Sequence, residues 1–136
     1  MEAGAIFIIQ NEESRFLLEQ RNLDPKCRPW SWVFPGGKKE EADATTRDTV
    51  IREAKEEFGL EIKPESILKI GEVNRETQEG YLSIYLIEIG QPQKIEINDS
   101  AGAGWFSLEE IEKMDLGYNQ KARIYPVLIS HLQNQQ

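Results

Sequence analysis

The stretch of sequence that decides the fold is residues 35–60, which read PGGKKEEADATTRDTVIREAKEEFGL. Its second half has the periodicity of a helix, at about 100° per residue. One face of that helix collects four apolar side chains, those of Val50, Ile51, Ala54 and Phe58. Three residues can cap its start: Asp43, Thr45 or Thr46. Because Gly59 stands where a left-handed residue commonly ends a helix, the pattern predicts a helix over about 45–58 that packs on a sheet.

A neighbouring face of this helix carries three carboxylates. Glu53, Glu56 and Glu57 lie side by side because positions three and four apart are neighbours on a helix. Their mutual repulsion costs about 0.2–0.5 kcal/mol per pair, so helix formation does not favour the arrangement. A hard cation such as Mg²⁺ does favour it, since Mg²⁺ takes carboxylate, carbonyl and water oxygens as ligands.

The alternative is a solvated acidic face with Arg52 and Lys55 as partners, which is the commoner reading of two adjacent glutamates on a helix taken alone. The diglycine Gly36–Gly37, at a fixed distance before the helix, favours the cation site. Two glycines allow the backbone to come close to an ion or a phosphate and to turn a carbonyl toward it. A plain tight turn is the other reading of the diglycine.

Residues 37–60 resemble the Nudix box, Gly-x5-Glu-x7-Arg-Glu-U-x-Glu-Glu-x-Gly-U, in which U is a bulky aliphatic residue. The second half of the pattern is matched by Arg52, Glu53, Ala54, Glu56, Glu57, Gly59 and Leu60. The first half departs from it, because 14 residues separate Gly37 from Arg52 where the pattern has 13. The first glutamate of the box falls on Asp43 or Ala44 according to the direction of counting. We expect its orienting role at Asp43, Glu41 or Glu40.

The rest of the chain continues the resemblance and predicts further elements. Strands are expected at 5–9, 16–18, 32–34, 67–73 and 81–89, and a loop over 98–104 leads to Trp105 and Phe106. Helices are expected at 108–114 and 120–132, the last with Pro126 as a kink or a start. Strands come before, between and after the helices without regular βαβ alternation. We therefore expect an α/β (α+β) sandwich of the Nudix type, with a mixed β-sheet between helices, in a single domain over 1–136.

The resemblance implies a pyrophosphohydrolase that uses Mg²⁺, or Mn²⁺, to cleave a nucleoside diphosphate linked to another moiety by water attack on phosphorus. The metal ligands it implies are Gly36, Glu53, Glu56, Glu57 and Asp99. It also implies that Arg52 holds the glutamates, so that the catalytic set is Arg52 with the three helix acids. Candidates for the general base are Glu53, Glu79 and Asp99. An Asx turn explains Asp99 equally well.

Candidates for substrate binding lie around the box. They are the basic residues Arg21 and Lys38, the backbone at Gly37, and the aromatic residues Trp30 and Tyr81. A nucleoside triphosphate or modified nucleotide is the default substrate, with dinucleoside polyphosphates and nucleotide sugars as alternatives. A nucleotide-binding sensor without catalysis is a further alternative, although such domains usually lose glutamates of the box.

Composition narrows the remaining classes. The net charge of −8 over 136 residues repels a polymeric nucleic acid, but a metal ion or a local basic patch can still admit a small phosphorylated ligand. The single cysteine cannot form an intrachain disulfide, which fits a reducing compartment. The apolar run over 5–9 is too short to cross a membrane. We expect a cytoplasmic protein with no membrane partner, and a homodimer is compatible with the resemblance.

Overall fold

The computed structural model describes residues 1–21, 30–98 and 100–135. Its strands are β1 (Glu2–Gln10), β2 (Phe16–Arg21), β3 (Ser31–Val33), β4 (Gly36–Lys38), β5 (Ile67–Asn74), β6 (Tyr81–Glu88) and β7 (Gly102–Phe106). Its α-helices are α1 (Thr46–Phe58), α2 (Leu108–Glu112), α3 (Gln120–Arg123) and α4 (Tyr125–Gln133). Short 3₁₀ helices cover Pro64–Ser66 and Gly117–Asn119.

The strands form one mixed sheet around β1, in the order β3-β2-β1-β6-β5. Strand β1 pairs in parallel with β6 and antiparallel with β4, and it meets β2 only at the hairpin contact between Gln10 and Phe16. Strand β2 then continues between β3 and β7. The predicted mixed sheet is confirmed.

Strand β1 sends alternate side chains into two cores, because successive residues of a strand point to opposite faces. Phe7 and Ile9 pack in the core that contains Val50, Ala54 and Phe58 of α1. Ile6 and Ile8 face the other way, into the core that contains side chains of α2 and α4. Each fully buried side chain of this size contributes about 1.5–3 kcal/mol relative to leaving it in water. The sheet therefore lies between helices, as the sequence predicts.

Helix α1 begins and ends within one residue of the expected bounds. At its start, Asp48 accepts hydrogen bonds from the backbone N–H groups of Ala44 (3.0 Å) and Thr45 (3.2 Å). At its end, Gly59 has a φ of 67°, and its N–H donates to the carbonyl of Lys55 at 3.0 Å. A left-handed residue of this kind is easiest for glycine, which has no Cβ. The glycine thus fixes where the acidic helix stops.

Three local features differ from the sequence-based expectation. The diglycine is not a turn but the start of β4, which pairs Gly36 with Ile6 and Gly37 with Ala5. The approach is so close that a Cβ at Gly4 would lie 2.3 Å from the carbonyl oxygen of Gly37. Strand propensity cannot reveal a strand built on glycines. Helix α2 stops at Glu112, and the predicted C-terminal helix is divided into α3 and α4.

The division between α3 and α4 confirms the role expected of Pro126. This proline lies in the first turn of α4, where its missing N–H would have had no partner within the helix. Ile124 separates the two helices, with a φ of −107°. The side chains of Tyr125 and Leu128 then point into the core beneath the sheet.

Candidate active site

The residue at the centre of the site is Arg52, whose guanidinium grips Asp43 with two hydrogen bonds. Its Nη2 lies 2.8 Å from Oδ2 of Asp43 and its Nε lies 3.2 Å from Oδ1. The same carboxylate accepts hydrogen bonds from the backbone N–H of Glu40 and the hydroxyl of Thr49, both at 2.9 Å. Asp43 is only 5% exposed. These donors, led by Arg52, hold the pKa of Asp43 far below its ordinary value, and the pair raises the pKa of Arg52 in turn.

The surplus residue between the diglycine and Arg52 is thus accommodated in the turn that ends at Asp43. Of the three acids expected to take over the orienting role, the structure brings Asp43 into the bidentate contact. Glu40 is an exposed side chain with an ion pair of 3.5 Å to Arg52, and Glu41 is exposed. Asp43 has a shorter side chain than the glutamate of the box pattern, and the turn before it is one residue longer, so its carboxylate still reaches the guanidinium of Arg52.

Arg52 also organises the acids of its own helix and joins the helix to β4. Its Nη1 donates to Oε1 of Glu53 at 2.9 Å, and its Nη2 donates to the carbonyl oxygen of Lys38 at 3.1 Å. A weaker contact of 3.5 Å reaches Glu56, which is 57% exposed. Glu53 is therefore fixed in the site, whereas Glu56 lies on its rim.

Three carboxylates follow one another from α1 to β2, and we call Glu53, Glu57 and Glu19 the carboxylate row. Glu57 stands in the middle, because its carboxyl group interacts electrostatically with both Glu53 and Glu19. Burial, reinforced by the charges of Glu19 and Glu53, raises the pKa of Glu57 to about 8. Its Oε2 atom is buried and has no hydrogen-bond partner among the described residues. Buried polar atoms without a hydrogen-bond partner are rare in proteins, and each one calls for an explanation.

Glu19, which is only 3% exposed, is a residue of the site that was not predicted from the sequence. Burial raises its pKa, and Nη1 of Arg21 lies 3.4 Å from its Oε1. A signal was available: Glu19 is two residues after Leu17, so the two side chains lie on the same face of β2. Leu17 packs in the core beneath α1. The alternation in β2 therefore points Glu19 toward the acidic helix.

The diglycine lies directly against these acids. A Cβ at Gly37 would meet Cγ of Glu53 at 2.4 Å and its Oε1 at 2.7 Å, so the close contact requires glycine. Next to the two ends of β4, the carbonyl of Pro35 accepts a hydrogen bond from β1 and the N–H of Lys39 donates one to β1, both at 2.9 Å. Because an antiparallel ladder alternates, the carbonyl of Gly36 points away from β1, as does that of Lys38, which accepts from Arg52.

The donor chemistry of this region fits a hard divalent cation. The unpartnered oxygen of Glu57, together with the accumulation of carboxylates beside a glycine backbone, is the arrangement that such an ion would stabilise. Among residues 1–21, 30–98 and 100–135, no three His, Cys, Asp or Glu side chains form a ready-made metal cage. The three carboxylates of the row do not surround one common point. Asp99, which the resemblance adds to the ligands, lies outside the described residues.

A cavity of about 480 Å³ opens beside the carboxylate row, within the usual size range of small-molecule sites. Among the described residues, its charged lining consists of four basic side chains and two carboxylates, namely Arg21, Lys38, Arg75, Arg123, Glu19 and Glu76. Gly36 and Gly37 form part of the same wall. The lining is thus net basic in a chain whose net charge is −8. We call this pocket the basic cavity.

The wall of the basic cavity is held by side chains that bond to the backbone or to each other. Gln120 is buried, accepts a hydrogen bond from the N–H of Phe34 at 2.7 Å and donates to its carbonyl at 3.2 Å. A hydrogen bond joins Arg21 to Tyr118, which has a φ of 55°. These contacts fix the positions of Arg21 and of the backbone before the diglycine in the cavity wall.

The predicted site residues Trp30, Tyr81 and Glu79 are not among the described residues that line the basic cavity. Trp30 is 60% exposed. Tyr81 lies on β6 with Nζ of Lys69 at 5.9 Å from its ring centre. Both aromatics remain predictions from the sequence alone.

Comparison with known proteins identifies the family. The family model described as NUDIX domain matches residues 2–128. The chain belongs to the Nudix family. It is a Nudix hydrolase, of the family that acts on pyrophosphate bonds, and no curated protein matches its sequence.

Solved structures share the Nudix fold. A MutT/nudix family protein from Enterococcus faecalis is 27% identical, with a TM-score of 0.65 over 78% of this chain. This chain spans only 44% of that protein. A MutT protein from Methanosarcina mazei Go1 is also 27% identical, with a TM-score of 0.66 over 82% of this chain and 80% of its own.

The NUDIX domain of Shewanella oneidensis NrtR, solved with ADP ribose, has a higher TM-score of 0.79 over 97% of this chain and 89% of its own. Its identity of 17% shows the shared fold alone. Within the described part of this Nudix chain, no helix is both long and apolar enough to cross a membrane.

Proposed function

We propose that this Nudix hydrolase is a pyrophosphohydrolase that depends on a divalent cation. Its substrate is a nucleoside diphosphate linked to another group, and a nucleoside triphosphate or a modified nucleotide is our first choice. The observation that carries the proposal is the buried, unpartnered oxygen of Glu57, which lies within the carboxylate row beside the basic cavity. A bound cation would give that oxygen a partner, which neither helix formation nor packing does.

The residues divide into those that hold the cation and those that position them. Glu53, Glu56 and Glu57, with the carbonyl of Gly36, are the proposed ligands. When bound, the cation neutralises phosphate charge and makes a coordinated water more acidic. Arg52 fixes Glu53 through the 2.9 Å contact, because a ligand that is held from behind keeps its orientation.

The proposed phosphate contacts lie on the cavity side. Arg21 and Lys38 present positive charge beside the diglycine, and Arg75 and Arg123 extend it along the wall. This charge supports an anionic substrate in a protein that otherwise repels one. Among the candidates for the general base, Glu53 is our choice, since it lies at the diglycine and Glu79 does not line the cavity.

The finer assignments belong to the same proposal. We propose Mg²⁺ as the physiological ion, with Mn²⁺ able to replace it, and a single catalytic domain over the whole chain. The proposed setting is the cytoplasm, in line with the single cysteine. Dinucleoside polyphosphates and nucleotide sugars are to be included in any substrate panel, and the assembly is to be examined for a homodimer.

The test is product formation from such a panel with Mg²⁺, comparing the wild type with Glu57→Gln. We expect the substitution to lower the rate at least about 10³-fold, since it removes a ligand and leaves the other groups in place. The matched control is Glu88→Gln, the same change at an exposed position of β6 outside the cavity lining. Circular dichroism and the unfolding midpoint establish that each variant is folded.

The possible results separate the competing functions. Cleavage that requires the cation and fails in Glu57→Gln supports the proposal, and ¹⁸O-labelled water then identifies the phosphorus that is attacked. Equal turnover by the two proteins would remove Glu57 from the mechanism. A panel in which compounds raise the melting temperature but none is cleaved would favour a sensor domain.

A further inference from the structure

Glu19 occupies a place that neither the box pattern nor the proposed ligand set includes. It is a residue of β2, and its carboxyl group interacts with Glu57 and Glu53 of α1. Of the three members of the carboxylate row, Glu19 is the one that lines the basic cavity. It therefore lies at the border between the acids of the helix and the space for the substrate.

Glu19 receives less hydrogen bonding from the described residues than the equally buried Asp43 does. Its Oε1 has a contact of 3.4 Å with Nη1 of Arg21, longer than the roughly 2.7–2.9 Å of a strong charged hydrogen bond. On its other side stands Glu57, a second carboxyl group with an unpartnered oxygen. Asp43 is buried to a similar degree, but it accepts hydrogen bonds from three different residues. A carboxylate kept only for the fold would resemble Asp43.

We propose that Glu19 is a further oxygen ligand of the divalent cation, acting together with Glu57. The inference rests on the proposed cation-dependent function. A hard cation supplies the positive charge that the Glu19–Glu57 pair lacks, and both residues offer carboxylate oxygens, the ligands such an ion prefers. The cation site then extends beyond the box, from the acidic helix to the strand that forms the cavity wall.

The experiment measures Mn²⁺ binding directly, from the electron paramagnetic resonance signal of the free ion, in the wild type, Glu19→Gln and Glu88→Gln. Glutamine keeps the size of Glu19 and removes its charge. We expect Glu19→Gln to weaken Mn²⁺ affinity about 10- to 100-fold, a loss typical of residues that ligate or support a metal. Its resistance to denaturant without metal should not fall, and Glu88→Gln should bind Mn²⁺ as the wild type does. Wild-type affinity in a folded Glu19→Gln overturns the inference.

A second measurement needs no variant. Crystals of the unaltered protein soaked in Mn²⁺ locate the ion by its anomalous scattering. An oxygen of Glu19 in the inner coordination shell, at about 2.0–2.3 Å, supports the inference, and a carboxylate more than 3.5 Å from the ion overturns it. This result decides the matter even when Glu19→Gln does not fold.

The two proposals fail in different ways. If Glu57→Gln abolishes cation-dependent hydrolysis while Glu19→Gln binds Mn²⁺ normally, the proposed function stands and the role of Glu19 is refuted. If the wild type hydrolyses no compound of the panel but the Mn²⁺ ion lies on Glu19, the ligand assignment stands and the hydrolytic proposal is refuted.

Discussion

Two carboxylates of the site, those of Asp43 and Glu57, have opposite environments. Asp43 accepts hydrogen bonds from Arg52, Thr49 and a backbone N–H, and its pKa is driven far below the ordinary value. Glu57 has a buried oxygen with no donor and stands between two other glutamates, which together with burial raise its pKa to about 8. Protein groups fill the hydrogen-bonding capacity of Asp43, whereas that of Glu57 is left partly unfilled.

This difference distinguishes acids that stabilise the fold from acids that are available to bind a ligand. A buried group whose hydrogen-bonding capacity is filled stabilises the structure it joins. A buried group left without partners costs stability, and a protein keeps it where function requires it. The three predictions below test this distinction, and all use the free energy of unfolding measured with denaturant in EDTA.

The largest effect is expected from Arg52→Ala, because it removes the partner of Asp43. Asp43 is buried and the Arg52 side chain is 21% exposed, so removing Arg52 leaves a buried charge unpaired, and we expect a loss of up to about 3–5 kcal/mol in the free energy of unfolding. The matched control is Lys55→Ala, which removes an exposed cation from the same helix that pairs with the exposed Glu61. Little change is expected there, and equal losses in both variants would contradict a special role for the Asp43 pair.

A smaller effect is expected from Asp43→Asn, which keeps the shape of the side chain and removes its charge. We expect a loss of about 1–3 kcal/mol at pH 7, since an amide cannot accept every hydrogen bond that the carboxylate accepts. The pKa of Asp43 in the fold lies below its ordinary value of 3.8. Its stabilisation is therefore fully present above about pH 4 and is lost as the pH falls.

The difference between the wild type and Asp43→Asn should accordingly narrow in acid. Unfolding curves of both proteins between pH 7 and pH 2.5 measure it. A gap that widens below pH 4 would show that Asp43 does not hold its charge more firmly in the folded state.

The smallest effect on stability is expected from Glu57→Gln, the substitution that should nearly abolish activity. Glutamine has the size of glutamate, and the raised pKa of Glu57 shows that the site without metal already disfavours a charge there. The free energy of unfolding without metal should therefore rise or stay within about 1 kcal/mol of the wild type. Addition of Mg²⁺ should then stabilise the wild type and not the variant. A loss as large as that of Arg52→Ala would place Glu57 with the residues that hold the fold.

Much of this molecule could be predicted from the sequence, for reasons that are local. The periodicity of 45–58 and the glycine after it defined α1, and the spacing of the box brought Arg52, Glu53 and Glu57 to one region. The strand at the diglycine could not be predicted, because glycine has low strand propensity and the pairing depends on close approach to β1.

The parts of the site that the sequence did not reveal depend on tertiary structure. Glu19 looked like an ordinary polar residue of a strand, and only the packing of β2 beneath α1 shows that it is buried beside Glu57. Trp30 and Tyr81 were chosen for their ring chemistry, and the direction in which they point is set by distant segments. Residue type alone could not decide which aromatic side chain faces the cavity.

The parallel pairing of β1 with β6 has a consequence for how the chain folds during synthesis. Glu2 pairs with Tyr81, so the centre of the sheet cannot close until the ribosome has made most of the molecule. Until then, one of the most apolar segments of the protein, IFII at positions 6–9, waits without its neighbour. Such long-range topology slows folding and exposes the nascent strand to aggregation, which makes protection by a chaperone at this stage valuable.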